Sequence, residues 1–313
     1  MSKIRLGILG AGTIAQINLD ILINIKAVKV TKIYSRTIKK AKLLQKKYSI
    51  NEVSETLEKF IAKDLDGVLI LVSAEEIFKM TMKLLPYKIP LFIEKPISLN
   101  FRDYEKLLKA NKKHQTLNMI GLNRRFYSVF HSTLELIKKK KDKILAVNIE
   151  GHERSWLLRK KVNKKIHKRW LFANSIHTID LLNFFCGDLL TSHSFSQKNK
   201  EMIPDYFNGI FKFKNGITAT YSSYWNSPGS WKVSIFTKNY NINFNPLEKG
   251  EIIDKKFKKE NILPSKYDVK YKPGFYKQLL TFIDLIKYKK LKWPALSIET
   301  SYETYKNLKF LEK

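Results

Sequence analysis

The sequence has one cysteine, Cys186, among its 313 residues, so no disulfide can close within the chain. A cross-linked secreted scaffold is excluded, and a reducing compartment fits. No apolar run reaches the ~18 residues that span a bilayer. The opening MSKIRLGILGAG lacks the long apolar block and small-residue cleavage site of a secretory leader, and a cytoplasmic protein without membrane association is expected. Arginine is also scarce: 8 of the 59 basic residues, against 51 lysines. Readers of grooves and phosphates lean on arginine's planar fork. The net charge of +31 therefore reads as a solvated lysine surface, and nucleic acid is not an expected partner. The densest basic runs are KKKKDK at 138–143 and RKKVNKKIHKR at 159–169. Such charge can still attract phosphorylated substrates.

What is present is enough apolar residue, 44%, for a sizeable core, arranged in two textures. In the first third, short apolar runs (IRLGILG, VKVTKIYS, DGVLILVS, IPLFIEKP) alternate with helical spacing (TIAQINLDILINI, TIKKAKLLQKKY, then 101–113). That alternation predicts a parallel sheet covered on both faces. After LNMIGLNRRF the pattern changes. ILAVNIEGH, a hairpin in GIFKFKNGITATYSSYW turning at Asn215-Gly216, WKVSIFT and YNINFNP predict a mostly antiparallel open sheet. The fold class is α/β, with domain 1–122 followed by an α+β domain 123–313. The last helix, near 298–311, is a candidate to pack back on the first domain.

Gly10-Ala11-Gly12-Thr13-Ile14-Ala15 matches G-x-G-x-x-A between a strand and a helix. Gly10 permits the tight turn, Gly12 lets a pyrophosphate approach the backbone, and Ala15 allows close packing. The N–H groups opening the helix, around Thr13 and Ile14, favour the anion. An NAD enzyme usually carries an acid at the end of the second strand; here stand Ser35 and Arg36, with Lys39 and Lys40 close by. A hydroxyl and a guanidinium suit a 2′-phosphate, so NADP is preferred over NAD. No metal ligand set is expected.

These features, with Glu94-Lys95-Pro96 after the fifth strand-like run, GLNRRF at 121–126 and IHTIDLL at 176–182, occur in this order along nearly the whole chain. In combination they resemble the glucose–fructose oxidoreductase / inositol dehydrogenase / MocA (Gfo/Idh/MocA) family. The resemblance implies a Rossmann domain, then a domain with an open sheet. It implies a nicotinamide cofactor, sugar-like or cyclitol substrates, and homo-oligomers, dimers or tetramers, formed through the open sheet face. It places Glu94 and Lys95 beside the cofactor, with Lys95 near the reacting carbon, and makes the Lys95-Pro96 bond a candidate for cis geometry. An ammonium there can stabilise a developing alkoxide.

The apolar stretch WLFANSIHTIDLLNFFCG at 170–187 reads as a helix started by Asn174 or Ser175 and ended by Gly187. His177 and Asp180 share one face of it. The resemblance makes His177 the catalytic histidine, exchanging the hydroxyl proton as hydride moves to or from nicotinamide. Many sugar-oxidising members carry an aspartate one turn earlier. Here that position is Ala173, beside Asn174, which can bond a hydroxyl. Asp180 orients His177, contacts substrate or bonds backbone amides, and is counted among the catalytic candidates. Arg124 and Arg125 are candidates to line the substrate cleft, and Arg154, Arg169 and Trp170 to meet a substrate carboxylate or phosphate. The tryptophans of YWNSPGSW, 224–231, are expected to stack on a sugar face or to fill an oligomer interface, with the interface preferred. The leading expectation is an NADP-dependent oxidoreductase acting on a secondary alcohol or ketone of a sugar, with a role in surface-glycan synthesis by analogy. The alternative is a non-catalytic NADP-binding regulator or scaffold on the same fold.

Overall fold

The computed structural model describes residues 3–61 and 64–312. The chain forms two compact units. The first runs through Asn123 and regains Gly274–Ser301; the second comprises Arg124–Pro273 and the chain from Tyr302 onward.

The first unit is built from β1 (Ile4–Leu9), α1 (Thr13–Leu22), β2 (Val28–Tyr34), α2 (Ile38–Tyr48), β3 (Glu52–Val53), α3 (Leu57–Ile61), β4 (Gly67–Ile70), α4 (Ala74–Leu84), β5 (Leu91–Glu94), α5 (Phe101–His114) and β6 (Asn118–Gly121). Its six strands are parallel, in the order β3-β2-β1-β4-β5-β6. Every residue of β4, β5 and β6 is buried, as expected for a sheet covered on both faces. The strand order reverses direction at β1 and β4, the switch point where such sheets bind ligands outside the strands' C-terminal ends.

The second unit holds α6 (Ser128–Lys139), β7 (Ile144–Gly151), α7 (Ser155–Leu158), α8 (Lys164–Lys168), α9 (Ile176–Cys186) and β8 (Leu189–Lys198). Then come β9 (Pro204–Phe213), β10 (Thr218–Tyr224), β11 (Trp231–Thr237), β12 (Tyr240–Phe244), β13 (Gly250–Asp254), β14 (Lys259–Ile262) and α10 (Lys266–Lys270). The eight strands run β14-β13-β12-β11-β7-β10-β9-β8, antiparallel except for β7 with β10. The β9–β10 hairpin turns at Gly216, whose φ of +88° suits glycine. Burial alternates along β9 and β10, with Phe207, Phe211, Ala219 and Tyr221 inward and Ile210 outward. One face is therefore packed and the other open. Helix α9 lies against β7 and β10.

Helices α11 (Phe275–Tyr288) and α12 (Tyr302–Glu312) correct one expectation. The last helix stays with the second unit, where it packs on α9, β8 and β9. The piece that returns to the first unit is Gly274–Ser301. Phe282 and Ile286 of α11 fill the space over Gly67, where a Cβ would meet both side chains. Beyond α11, Ile120 N–H donates to Leu296 O (2.8 Å), Ile298 N–H to Asn118 Oδ1 (2.8 Å) and the Tyr104 hydroxyl to Ile298 O (2.7 Å). Buried polar groups need such partners, so the returning segment completes the β6 side of the sheet.

Candidate active site

In the first unit the chain leaves β1, turns at Gly10 and enters α1. Gly10 has φ +119°, and a Cβ on it would collide with the backbone carbonyl of Leu71. Only glycine closes this turn. Gly12 differs: its φ is −89°, and an added Cβ would meet no protein atom within 4 Å. Packing therefore does not demand glycine at 12, and the backbone there is open to a close approach from the cavity. Ala15 is fully buried under the turn. Gly10, Gly12, Thr13 and Ile14 open onto a cavity of about 750 Å³, which Ser35 and Arg36 also line. The residues present fit a dinucleotide. Gly12→Val is expected to cost about 1 kcal/mol of stability, as a poorer helix cap, yet to weaken dinucleotide binding by more than about tenfold. Thermal melting and fluorescence titration read the two separately.

Ser35 Oγ accepts from Thr37 N–H (3.2 Å). Arg36 is mostly exposed and pairs with Glu76 (Nη1–Oε1 3.3 Å). Sequence reading missed Glu76, a cavity-lining carboxylate on α4, because nothing local links that helix to the end of β2. Glu94 and Lys95 stand at the C-terminal end of β5, outside this cavity's lining. Glu94 is buried and Lys95 half-buried, and the Lys95-Pro96 bond is cis.

In the second unit the helix carrying His177 does not start at Asn174 or Ser175. A π-helical turn, Leu171–Ser175, runs into α9 without a break. Neither side chain caps it: Ser175 Oγ donates to Glu153 Oε1 (2.8 Å), and Asn174 Nδ2 makes a longer contact of 3.4 Å to the same oxygen. Trp170 Nε1 donates to Glu153 Oε2 (2.9 Å). Buried Glu153 thus satisfies donors of the widened turn and fixes how α9 begins; π-turns of this kind recur at functional sites. No periodicity flagged Glu153, since its partners lie 17 to 22 residues away. Gly187 ends the helix with φ +83°. Cys186, buried in its last turn, has its thiol pushed up to about 12 by burial, so it is protonated at neutral pH.

His177 is 2% exposed, and its ring centroid lies 6.2 Å from that of Trp231. The guanidinium of Arg124 sits 5.0 Å from the Trp231 ring. Asp180 is held elsewhere. Arg125 donates through Nε to Oδ2 (2.7 Å) and through Nη2 to Oδ1 (3.0 Å), and Thr304 Oγ1 donates to Oδ1 (2.7 Å). Both members of the pair are almost fully buried. Arg125 is therefore a partner of Asp180, and the contacts of Asp180 are those of a positioning group. Arg169 pairs with Glu312 (2.6 Å) on α12.

The tryptophans of 224–231 also depart from expectation. Trp225 is fully buried, donates to Ser223 Oγ (3.0 Å) and stacks on His167 (6.4 Å, 9°). Trp231 flanks His177. Neither faces the open side of the sheet; the exposed apolar side chains of its strands include Phe195, Ile210 and Tyr224.

Residues 4–122 match the family model of the Gfo/Idh/MocA oxidoreductases, described as an oxidoreductase family with an NAD-binding Rossmann fold. A curated relative, 4-carboxy-2-hydroxymuconate-6-semialdehyde dehydrogenase of Sphingobium sp., is 23% identical over 203 residues. That match spans 61% of this chain and 61% of the relative's length. Among solved structures, an oxidoreductase from Agrobacterium radiobacter in complex with NAD+, L-tartaric acid and magnesium superposes with a TM-score of 0.80 at 13% identity, covering 99% of this chain and 95% of that one. UDP-N-acetylglucosamine 3-dehydrogenase from Acidithiobacillus ferrooxidans gives 0.79 at 13% identity, covering 100% and 97%. At these identities the structural likeness speaks for the fold. Among the described residues no helix is long and apolar enough to cross a membrane.

Proposed function

Because residues 4–122 match the family model of the Gfo/Idh/MocA oxidoreductases, we propose that the protein is an NADP-dependent oxidoreductase interconverting a secondary alcohol and a ketone on a sugar or sugar derivative. The observation that carries this reading is Gly12, a glycine that no protein neighbour requires, at the mouth of the cavity above α1. Gly10, Gly12, Thr13 and Ile14 hold the pyrophosphate against the start of α1. Ser35 and Arg36 take the 2′-phosphate, for which Arg36 exchanges its exposed contact with Glu76. Bound nicotinamide dinucleotide supplies the carbon that accepts or donates hydride. Lys95 is the group that stabilises negative charge on the substrate oxygen as it develops. His177 is the group that takes the hydroxyl proton as hydride leaves the substrate carbon, and returns it in reduction. Asn174 and Arg124 bind the substrate. Asp180 acts through the segment it anchors. A cytoplasmic setting, a part in surface-glycan synthesis and self-association through the open sheet face around Phe195 and Ile210 belong to the same reading.

The direct test follows nicotinamide absorbance while a panel of sugars and their keto derivatives is offered with each dinucleotide. Turnover on at least one sugar is expected; bound NADPH with no turnover on any carbonyl or alcohol would overturn the reading. Arg36→Ala should raise KM for NADP by about tenfold, the loss of one charge-assisted bond at an exposed site, and leave KM for NAD nearly unchanged. Equal effects on both would remove Arg36 from 2′-phosphate recognition.

A further inference from the structure

The second unit contains a cavity of about 380 Å³, and Asn174 is the one residue of its lining to which the dehydrogenase reading gives a role. Its walls come from three places: the end of β7 with α7, the π-turn before α9, and the loop before β11. Trp170 and Trp231 supply flat apolar surface, and Asn174 an amide. The cations are Arg154 and Lys161. Among the described residues no carboxylate pairs with either, whereas Arg5, Arg36, Arg125 and Arg169 each have one. The one acid in the lining, Glu153, has both oxygens engaged, Oε2 by Trp170 and Oε1 by Ser175 and Asn174. These bonds order the wall.

The opposite wall is equally fixed. His152 Nδ1 accepts from Tyr224 N–H (3.1 Å), and its ring stacks on Tyr224 (centroids 5.6 Å). Gly229 passes so close that a Cβ would sit 2.7 Å from the His152 ring. Arg159, Lys160 and Lys165 are exposed in the adjoining connection, so the approach to the cavity is positive as well. Trp231 belongs both to this cavity and to the surroundings of His177, which ties the pocket to the proposed chemistry.

We propose that this cavity is a subsite for a phosphate group carried by the substrate, bound by Arg154 and Lys161, with the attached sugar against Trp170 and Trp231. The inference rests on the proposed function and adds the substrate class: a phosphorylated sugar or a nucleotide-diphosphate sugar. Two unpaired cations beside stacking surface are what a phosphate ester of a sugar needs. A neutral sugar would leave both charges unanswered.

The test is calorimetric titration of the full chain saturated with NADPH, so that the dinucleotide cavity cannot take the probe. The probes are a neutral hexose, the same hexose as its monophosphate, the UDP-hexose, and inorganic phosphate. A phosphate-bearing probe is expected to bind at least about tenfold more tightly than the neutral hexose. The Arg154→Ala/Lys161→Ala pair should remove that advantage, while the neutral hexose binds as before and Arg154→Lys restores part of it. Preference for the UDP-hexose over the monophosphate identifies the nucleotide sugar as the source; the reverse identifies the simple ester. Equal affinity for charged and neutral probes, binding of inorganic phosphate alone, or a preference untouched in the double variant would overturn the inference. Both side chains are exposed, so the variants fold. Phosphate-dependent binding without hydride transfer would count against the dehydrogenase reading and leave the subsite standing.

Discussion

His177→Ala is expected to lower kcat by about a hundred- to ten-thousand-fold, the usual worth of a positioned general acid or base, while the affinity for dinucleotide stays as it was. The expectation follows from placement. The imidazole is nearly inaccessible, lies at the start of a helix whose entry is held by Glu153, and sits beside Trp231. Lys95→Ala should lose a comparable factor for a different reason, the missing charge opposite a developing alkoxide, where one such donor is worth about a hundred- to a thousandfold. The two losses separate by pH. A proton acceptor leaves a variant whose rate rises as hydroxide replaces it, whereas an electrostatic group does not. The measurement is kcat and KM across pH for each variant on a substrate found by the sugar panel. Full activity in both variants would remove these residues from the chemistry and favour a dinucleotide-binding protein that does not turn over.

Asp180→Ala carries the largest expected effect on stability, about 3–5 kcal/mol, because it takes the carboxylate away from a buried guanidinium. The side chain of Asp180 is 1% exposed and that of Arg125 5%. Alanine would remove two charge-assisted bonds from Arg125 and the acceptor of Thr304. The pair joins the start of the second unit to α9, and Thr304 ties in α12, so one substitution loosens three segments far apart in the chain. Asp180→Leu combined with Arg125→Met should recover much of the loss, since a buried ion pair replaced by apolar side chains is often neutral. Urea unfolding of the single and double variants provides the check. A single variant as stable as the parent would mean that the pair is solvated in solution. An Asp180 variant that kept full stability but lost turnover would return this residue to the chemistry.

The first unit was readable from local pattern. Strand-like runs alternate with helical ones, and Gly10 and Gly12 punctuate the first crossover; the parallel sheet follows because such runs have few other ways to bury themselves. In the second unit, β7, β9, β10, β11 and β12 were visible through alternation and through Asn215-Gly216. Strand β8 was not. Its sequence LLTSHSFSQK is polar, and after Leu189 none of its residues is buried, so no hydrophobic period marks it. Strands β13 and β14 are short, with a single buried residue each, and are hidden for the same reason. Trp225 was misread because stacking in a core and stacking at an interface require the same side chain.

By itself the sequence determined the glycine turn after β1 and the α/β order, because turns and periodicity act within a few residues; Lys95 and His177 stood out only through the family resemblance. The tertiary structure alone decided that α11 returns to the first sheet while α12 does not: both are amphipathic, and only their partners differ. It also decided that Asp180 belongs to Arg125 and Thr304, 55 and 124 residues away, and that Glu153 orders the turn before His177. Pairings of charge and hydrogen bond over such separations leave no periodic trace in a chain, since they are set by which surfaces meet after the apolar faces have been buried.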